Sequence, residues 1–155
     1  MADALSGLSA EQLAYQIDAD ANPVSWLVWH LTRVQDDHVA AAFGVPQVWS
    51  SQGWAGRLGL PPGMMDHGYG HDSDQVAVVA AACAASGQLG EYHEATYAQT
   101  VALVSEISDA DLDRVVDKRW TPPVTLGVRL VSVLDDDMQH VGQAAYVRGI
   151  VLRKG

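Results

Sequence analysis

The chain is 155 residues long, close to the commonest size of a single domain, and 48% of it is hydrophobic, enough for a sizeable core without disulfides. Its 19 acidic residues against 9 Lys and Arg give a net charge of −10, which argues against the broad basic patch that grips nucleic acid. No apolar run reaches the roughly 20 residues that span a bilayer, and MADALSGLSAEQL has neither the basic start nor the apolar centre of a signal peptide, so a soluble cytoplasmic domain covering residues 1–155 is expected.

From the N-terminus, Ser9 and Gln12 stand at capping-box spacing and predict a short helix within Leu8 to Ile17. Asn22-Pro23 reads as a cap followed by proline at the first helical position. It opens VSWLVWHLTRVQDDHVAAAF, which stops at Gly44 with Pro46 beyond, so residues 23 to 43 are predicted helical. Residues 44 to 74 concentrate proline and glycine with Trp49, Trp54, His67, Tyr69 and His71, the composition of a long structured loop rather than a linker. Asp74 to Ile107 is rich in alanine, valine, glutamate and glutamine and divides at Ser86-Gly87, leaving QLGEYHEATYAQTVALVSEI as a further helix. SDADLDRVVDKRWTPPVT forms a second connection, and Thr125 to about Arg153 a final helix. Strand signals are nearly lacking, so the pattern is all-α, a helical bundle. Cys83, the sole cysteine, lies in VAAACAAS and allows neither a disulfide framework nor a cysteine-rich zinc site.

The last helix carries LDDDMQH, and its three aspartates are not equivalent. At about 100° per residue, Leu126, Val133, Ala144, Val147 and Val151 fall within roughly 40° of His140, and Asp136 falls on the same stripe. Asp135 points to the opposite face and Asp137 to the edge. An acid on an apolar stripe needs a counter-charge, either Arg129 two turns earlier or a divalent cation shared with His140 at i+4. On the helix of residues 23 to 43, His30 shares a stripe with Trp26, Leu27, Val34 and Ala41. If the two helices face each other, His30, Asp136 and His140 converge as a two-His-one-carboxylate set suited to Zn, Ni or Fe with open positions. Asp37, Gln143, His67 and His71 are candidates for orienting ligands or rimming the pocket; His93 and Tyr92 read as packed aromatics. The five tryptophans are expected mainly as core and loop anchors, and Arg33 and Arg148 as solvated surface residues.

NPVSWLVWHLTRVQDDH together with DDMQHVGQAAYVRG, and between them GWAGRLGLPP, the GYGH loop and RWTPPVTLGVRLVSV, resembles the DinB-like superfamily of metal-binding four-helix bundles. The likeness runs from about Leu8 and is nearest to its actinobacterial branch and to the mycothiol-dependent maleylpyruvate isomerase type. It implies metal ligands at His30, Asp136 and His140, with Asp136 where many relatives carry histidine, a harder ligand that shifts metal preference. It also implies a cation that binds a low-molecular-weight thiol such as mycothiol, lowers its pKa and holds a thiolate for attack on a small-molecule substrate. A metal-dependent thiol S-transferase is thus one expectation, and a non-catalytic metal- or ligand-binding stress protein of the same fold the other. Relatives have a complete first helix before LSAEQL, whereas MADALSG is a stub here; a homodimer covering the exposed stripe is the expected assembly.

Overall fold

The computed structural model describes residues 2–61 and 64–154; Pro62 of the GWAGRLGLPP block lies outside them. Two four-residue helices, α1 (Ala2–Leu5) and α2 (Ala10–Leu13), occupy the first stretch. The expected capping box is formed, with Gln12 N donating to the Ser9 hydroxyl at 3.2 Å and Ser9 N to Gln12 Oε1 at 3.0 Å. The long α3 (Val24–Phe43) starts one residue later than expected. Pro23, with extended backbone at φ −67° and ψ 160°, is the N-cap, which leaves the Asn22 side chain one residue too early to reach the free amides. Gly44 closes α3 at φ 68°, a conformation that carries no Cβ penalty only for glycine.

The stretch read as a loop between residues 44 and 74 contains two short helices, α4 (Val48–Ser51) and α5 (Trp54–Arg57), whose buried Trp49 and Trp54 fasten it to the core. α6 (Ser73–Ser86) and α7 (Leu89–Val104) divide at Gly87, as expected, and Asp72 with Gln75 caps the start of α6. The connection after α7 holds a 3-10 turn (Asp109–Asp113) and an antiparallel pair, β1 (Val115–Asp117) and β2 (Val124–Thr125), with Val115 opposite Thr125. No strand was expected here, because segments of three and two residues are too short to display a period-two pattern. α8 (Leu126–Lys154) completes a chain that is 66% helix, the all-α bundle the sequence pattern implies.

α3 is the axis of this bundle. Sixteen of its twenty residues are buried, because α6, α7 and α8 pack around it, so its apolar residues are not confined to one stripe. α8, by contrast, buries Leu126, Val133, Ala144, Val147 and Val151, the same five residues that helical spacing puts beside His140. α1 and α2 lie against α8, α3 and α6, and Ala4, Leu5, Leu8 and Leu13 join the core there. Four tryptophans anchor core and loop, but Trp120, on the turn between the strands, is 64% exposed. Among the described residues no helix is long and apolar enough to cross a membrane.

Arg33 corrects the expectation of a surface arginine: the surrounding helices leave it fully buried. Its guanidinium donates to Asp66 O, Met65 O, Gln47 Oε1 and the Tyr92 hydroxyl, and lies 3.6 Å from Asp36 Oδ2. Asp36 in turn accepts from Val48 N, Trp49 N and the Tyr92 hydroxyl at 2.7 to 2.9 Å. Both buried charges are therefore paired and hydrogen-bonded, the condition under which burial is tolerable. The network ties Gln47, Val48, Trp49, Met65 and Asp66 to α3, and the last two open the loop that reaches His30.

Candidate functional site

α3 and α8 bring three side chains to one point. One ligand atom each from His30, Asp136 and His140 lies within 4.8 Å of the others. His30 is 6% exposed, while His140 and Asp136 stand at the edge of the core. The two imidazoles meet edge to face with centroids 4.7 Å apart, and His140 Nε2 is 3.7 Å from Asp136 Oδ1. His30 also stacks on Trp26 at 4.8 Å with the rings 9° from parallel, which fixes its plane.

The hydrogen bonds decide which nitrogens are free. His30 Nδ1 contacts the His67 carbonyl, and a carbonyl oxygen only accepts, so Nδ1 carries the proton and Nε2 keeps its lone pair. His140 Nδ1 pairs with Gln143 Oε1 at 2.9 Å, and the same argument puts a proton on its Nδ1 and leaves its Nε2 facing Asp136. Burial, reinforced by His140, lowers the pKa of His30 below the ordinary histidine value, against the opposing His67 hydrogen bond and Asp136 charge. Asp136 Oδ2 is buried and finds no hydrogen-bond partner among the described residues. Asp137 borders the core as expected; its Oδ1 is also buried and unpartnered, and desolvation with the neighbouring Asp136 charge pushes its carboxyl up to about 7. Two free imidazole nitrogens and an unsatisfied carboxylate oxygen form a donor set that fits a divalent cation of intermediate softness.

Of the residues expected to orient ligands, Gln143 and His67 touch the triad, Gln143 through its amide and His67 through its backbone carbonyl. His71 sits one contact further out, accepting from the Trp26 indole at 3.3 Å and donating to Asp66 at 2.9 Å. Asp37 bonds to Gln47 at 2.6 Å instead. Arg129 does not pair with Asp136: its guanidinium donates to His38 Nδ1 at 2.9 Å and to Asp117 Oδ2 at 3.1 Å, because β1 delivers Asp117 to that turn of α8. Arg33 serves the loop rather than a substrate, and Arg148 bonds the backbone of Asp3 and Ser6, holding α1. A recess of about 250 Å³ is lined by Asn22, Leu27, Tyr146 and Gln143, the hydrogen-bond partner of His140, among others.

Sequence reading missed His38 with its Arg129 and Asp117 partners, and Gly68, whose backbone at φ +88° passes so close to the His30 ring that a Cβ there would stand 3.3 Å from Nδ1. The first had a signal, since His38 lies two turns beyond His30 and Arg129 two turns before Asp136 on antiparallel helices. The second had none without the loop's path.

The sequence profile of the mycothiol-S-transferases matches residues 1–152. The chain belongs to the mycothiol-S-transferase family. This is a DinB-like family, which agrees with the bundle and with the resemblance carried by the WHL and QHVGQ blocks. The chain is also similar to a conserved protein of Enterococcus faecalis known from a crystal structure, at 33% identity and a TM-score of 0.84, over 97% of this chain and 87% of that one. A comparison with curated proteins finds no match.

Proposed function

We propose that this protein is a divalent-metal-dependent S-transferase that joins a low-molecular-weight thiol such as mycothiol to an electrophilic small molecule. The observation that carries the reading is the convergence of His30 and His140, each engaged through Nδ1 elsewhere, on an Asp136 carboxylate with a buried unsatisfied oxygen. Family membership supports the thiol and the transfer.

His30, Asp136 and His140 would hold the metal, and three protein ligands leave positions open for a further ligand. Bound there, the cation supplies Lewis acidity that lowers a thiol's pKa. The remaining work falls to the chain. The His67 carbonyl and Gln143 hold the two imidazoles as Nδ1–H tautomers, burial keeps His30 uncharged, and Trp26 fixes its plane. The recess beside Gln143 offers amide and phenol groups to an uncharged, hydroxyl-bearing portion of a thiol. In the transfer, sulfur forms the new S–C bond, and the thiol proton passes to buffer as the leaving group departs with its electron pair.

The test joins two measurements on the purified protein. Elemental analysis is expected to find close to one metal per chain, lost in His30→Ala and Asp136→Ala. Incubation with a thiol and monochlorobimane is expected to give metal-dependent thioether with release of chloride. Metal retention without any thiol consumption leaves a metal-binding protein and refutes the transferase; metal at background in wild type refutes both.

A further inference from the structure

The loop of residues 65 to 71 is built against His30 by more contacts than a simple connection needs. Arg33 takes the carbonyls of Met65 and Asp66 from below. Asp66 Oδ1 accepts from Gly68 N at 3.0 Å and from His71 Nε2 at 2.9 Å. The indole of Trp26 only donates, so His71 Nδ1 accepts from it and Nε2 must carry the proton given to Asp66. His71 also stacks on Trp29 with centroids 5.8 Å apart. Between these anchors runs Gly68 at φ +88°, so close that a Cβ there would stand 2.7 Å from Trp29 Cζ3, 2.9 Å from Trp26 Cζ2 and 3.3 Å from His30 Nδ1. The backbone reaches the His30 ring because residue 68 has no side chain.

We infer that this loop is a positioning device for His30: Gly68 and Asp66 set the His67 carbonyl on Nδ1, which locks the Nδ1–H tautomer and turns Nε2 toward Asp136 and His140. A histidine with neither constraint favours the other tautomer or a mixture, and its lone pair then faces away from the triad. The consequence for metal affinity rests on the function proposed above, whereas the tautomer is a property of the metal-free chain. Neither Gly68 nor Asp66 touches the cation; both act through His30.

Long-range nitrogen–proton NMR of imidazoles in metal-free, ¹⁵N-histidine-labelled full-length protein reads the tautomer, and titration with zinc alone reads the affinity. Wild type is expected to show His30 as a single Nδ1–H species. Gly68→Ala, and independently Asp66→Ala at a side chain that is 53% exposed, are expected to give a mixed tautomer and to weaken zinc binding roughly ten- to a hundredfold. Asp66→Asn keeps the Oδ1 acceptor and is expected to restore both readouts. Should Gly68→Ala fail to fold, the Asp66 pair decides alone. Unchanged His30 resonances and unchanged zinc affinity in Asp66→Ala overturn the inference. A wild type that binds no zinc but whose His30 tautomer still responds to Asp66→Ala sustains the loop's role and removes the metal reading.

Discussion

Replacing Asp136 by alanine should move stability in opposite directions with and without metal. In the metal-free chain its Oδ2 is buried without a partner and its Oδ1 lies 3.7 Å from His140 Nε2. An unsatisfied buried acceptor costs about 1–3 kcal/mol. The Asp136 side chain keeps 29% of its exposure, so the lower end applies. In EDTA, Asp136→Ala is therefore expected to gain about 1 kcal/mol, a rise in Tm of about 2–4 °C for a domain of this size. With free zinc at a hundred times the wild-type Kd, wild type gains about 2.7 kcal/mol, or about 5–11 °C. If loss of one of three ligands weakens the site about a hundredfold, the variant gains about 0.4 kcal/mol under the same conditions. The melting curves of the two proteins should thus cross: variant above wild type in EDTA by about 1 kcal/mol, and below it in zinc by about 1.3 kcal/mol, or about 3–5 °C. Differential scanning fluorimetry at fixed protein concentration reads both. A variant that loses stability in EDTA would mean that Asp136 is a structural acid with a partner in the fold, and equal zinc shifts would mean that the cation sits elsewhere.

Other expectations follow from the neighbouring charges. Asp137 titrates near about 7 in the fold against an ordinary 3.8, so between those values the folded chain holds a proton that the unfolded chain has released, and stability falls as pH rises through that window. Asp137→Asn should remove that fall and stabilise the metal-free protein at pH 8 by about 1–2 kcal/mol after solvent screening, with little change at pH 4, measured by urea unfolding; an equal gain at both pH values contradicts the assignment. His30 is shifted the other way, so below about pH 6.5 the unfolded chain takes up its proton first, and both folding stability and zinc occupancy should decline together on acidification. Zinc retention unchanged to pH 5 would exclude His30 as a ligand. Arg33→Met leaves Asp36 buried without its cation and should cost about 3–5 kcal/mol in urea unfolding; a loss below about 1 kcal/mol would show that Asp36 is satisfied by its amide and phenol donors alone.

The helix ends and the α8 stripe were legible because they depend on local rules. Capping at Ser9, termination at Gly44 and Gly87, and the i, i+4 placement of Asp136 and His140 need only the neighbouring residues. α3 was harder, since a helix buried on all sides has no polar face from which to read direction, and Arg33 and Asp36 stand where a surface helix would put solvated charges. Their pairing depends on the 44–71 segment folding back over α3, a long-range event with no periodic signal. The loop's contribution to the site was partly visible as histidines, yet the contacting atom at residue 67 is the backbone carbonyl, which any residue carries. The strand pair was hidden by its length.

Asp136 draws its significance from what does not neutralise it. Arg129 is the arginine on the right side of α8, two turns earlier, and helical spacing alone makes it an equal rival to a metal. In the fold its guanidinium is divided between Asp117 and His38, leaving Oδ2 of Asp136 without a donor. A proton on a neighbouring imidazole is the other internal source of positive charge, and at His30 burial opposes it more strongly than the His67 hydrogen bond favours it. Asp137 offers no compensating charge, since desolvation and the Asp136 charge push its carboxyl up to about 7, and the chain as a whole carries a net charge of −10. A cation from outside the chain would offset the Asp136 charge where one ligand atom each of His30, Asp136 and His140 lies within 4.8 Å of the others.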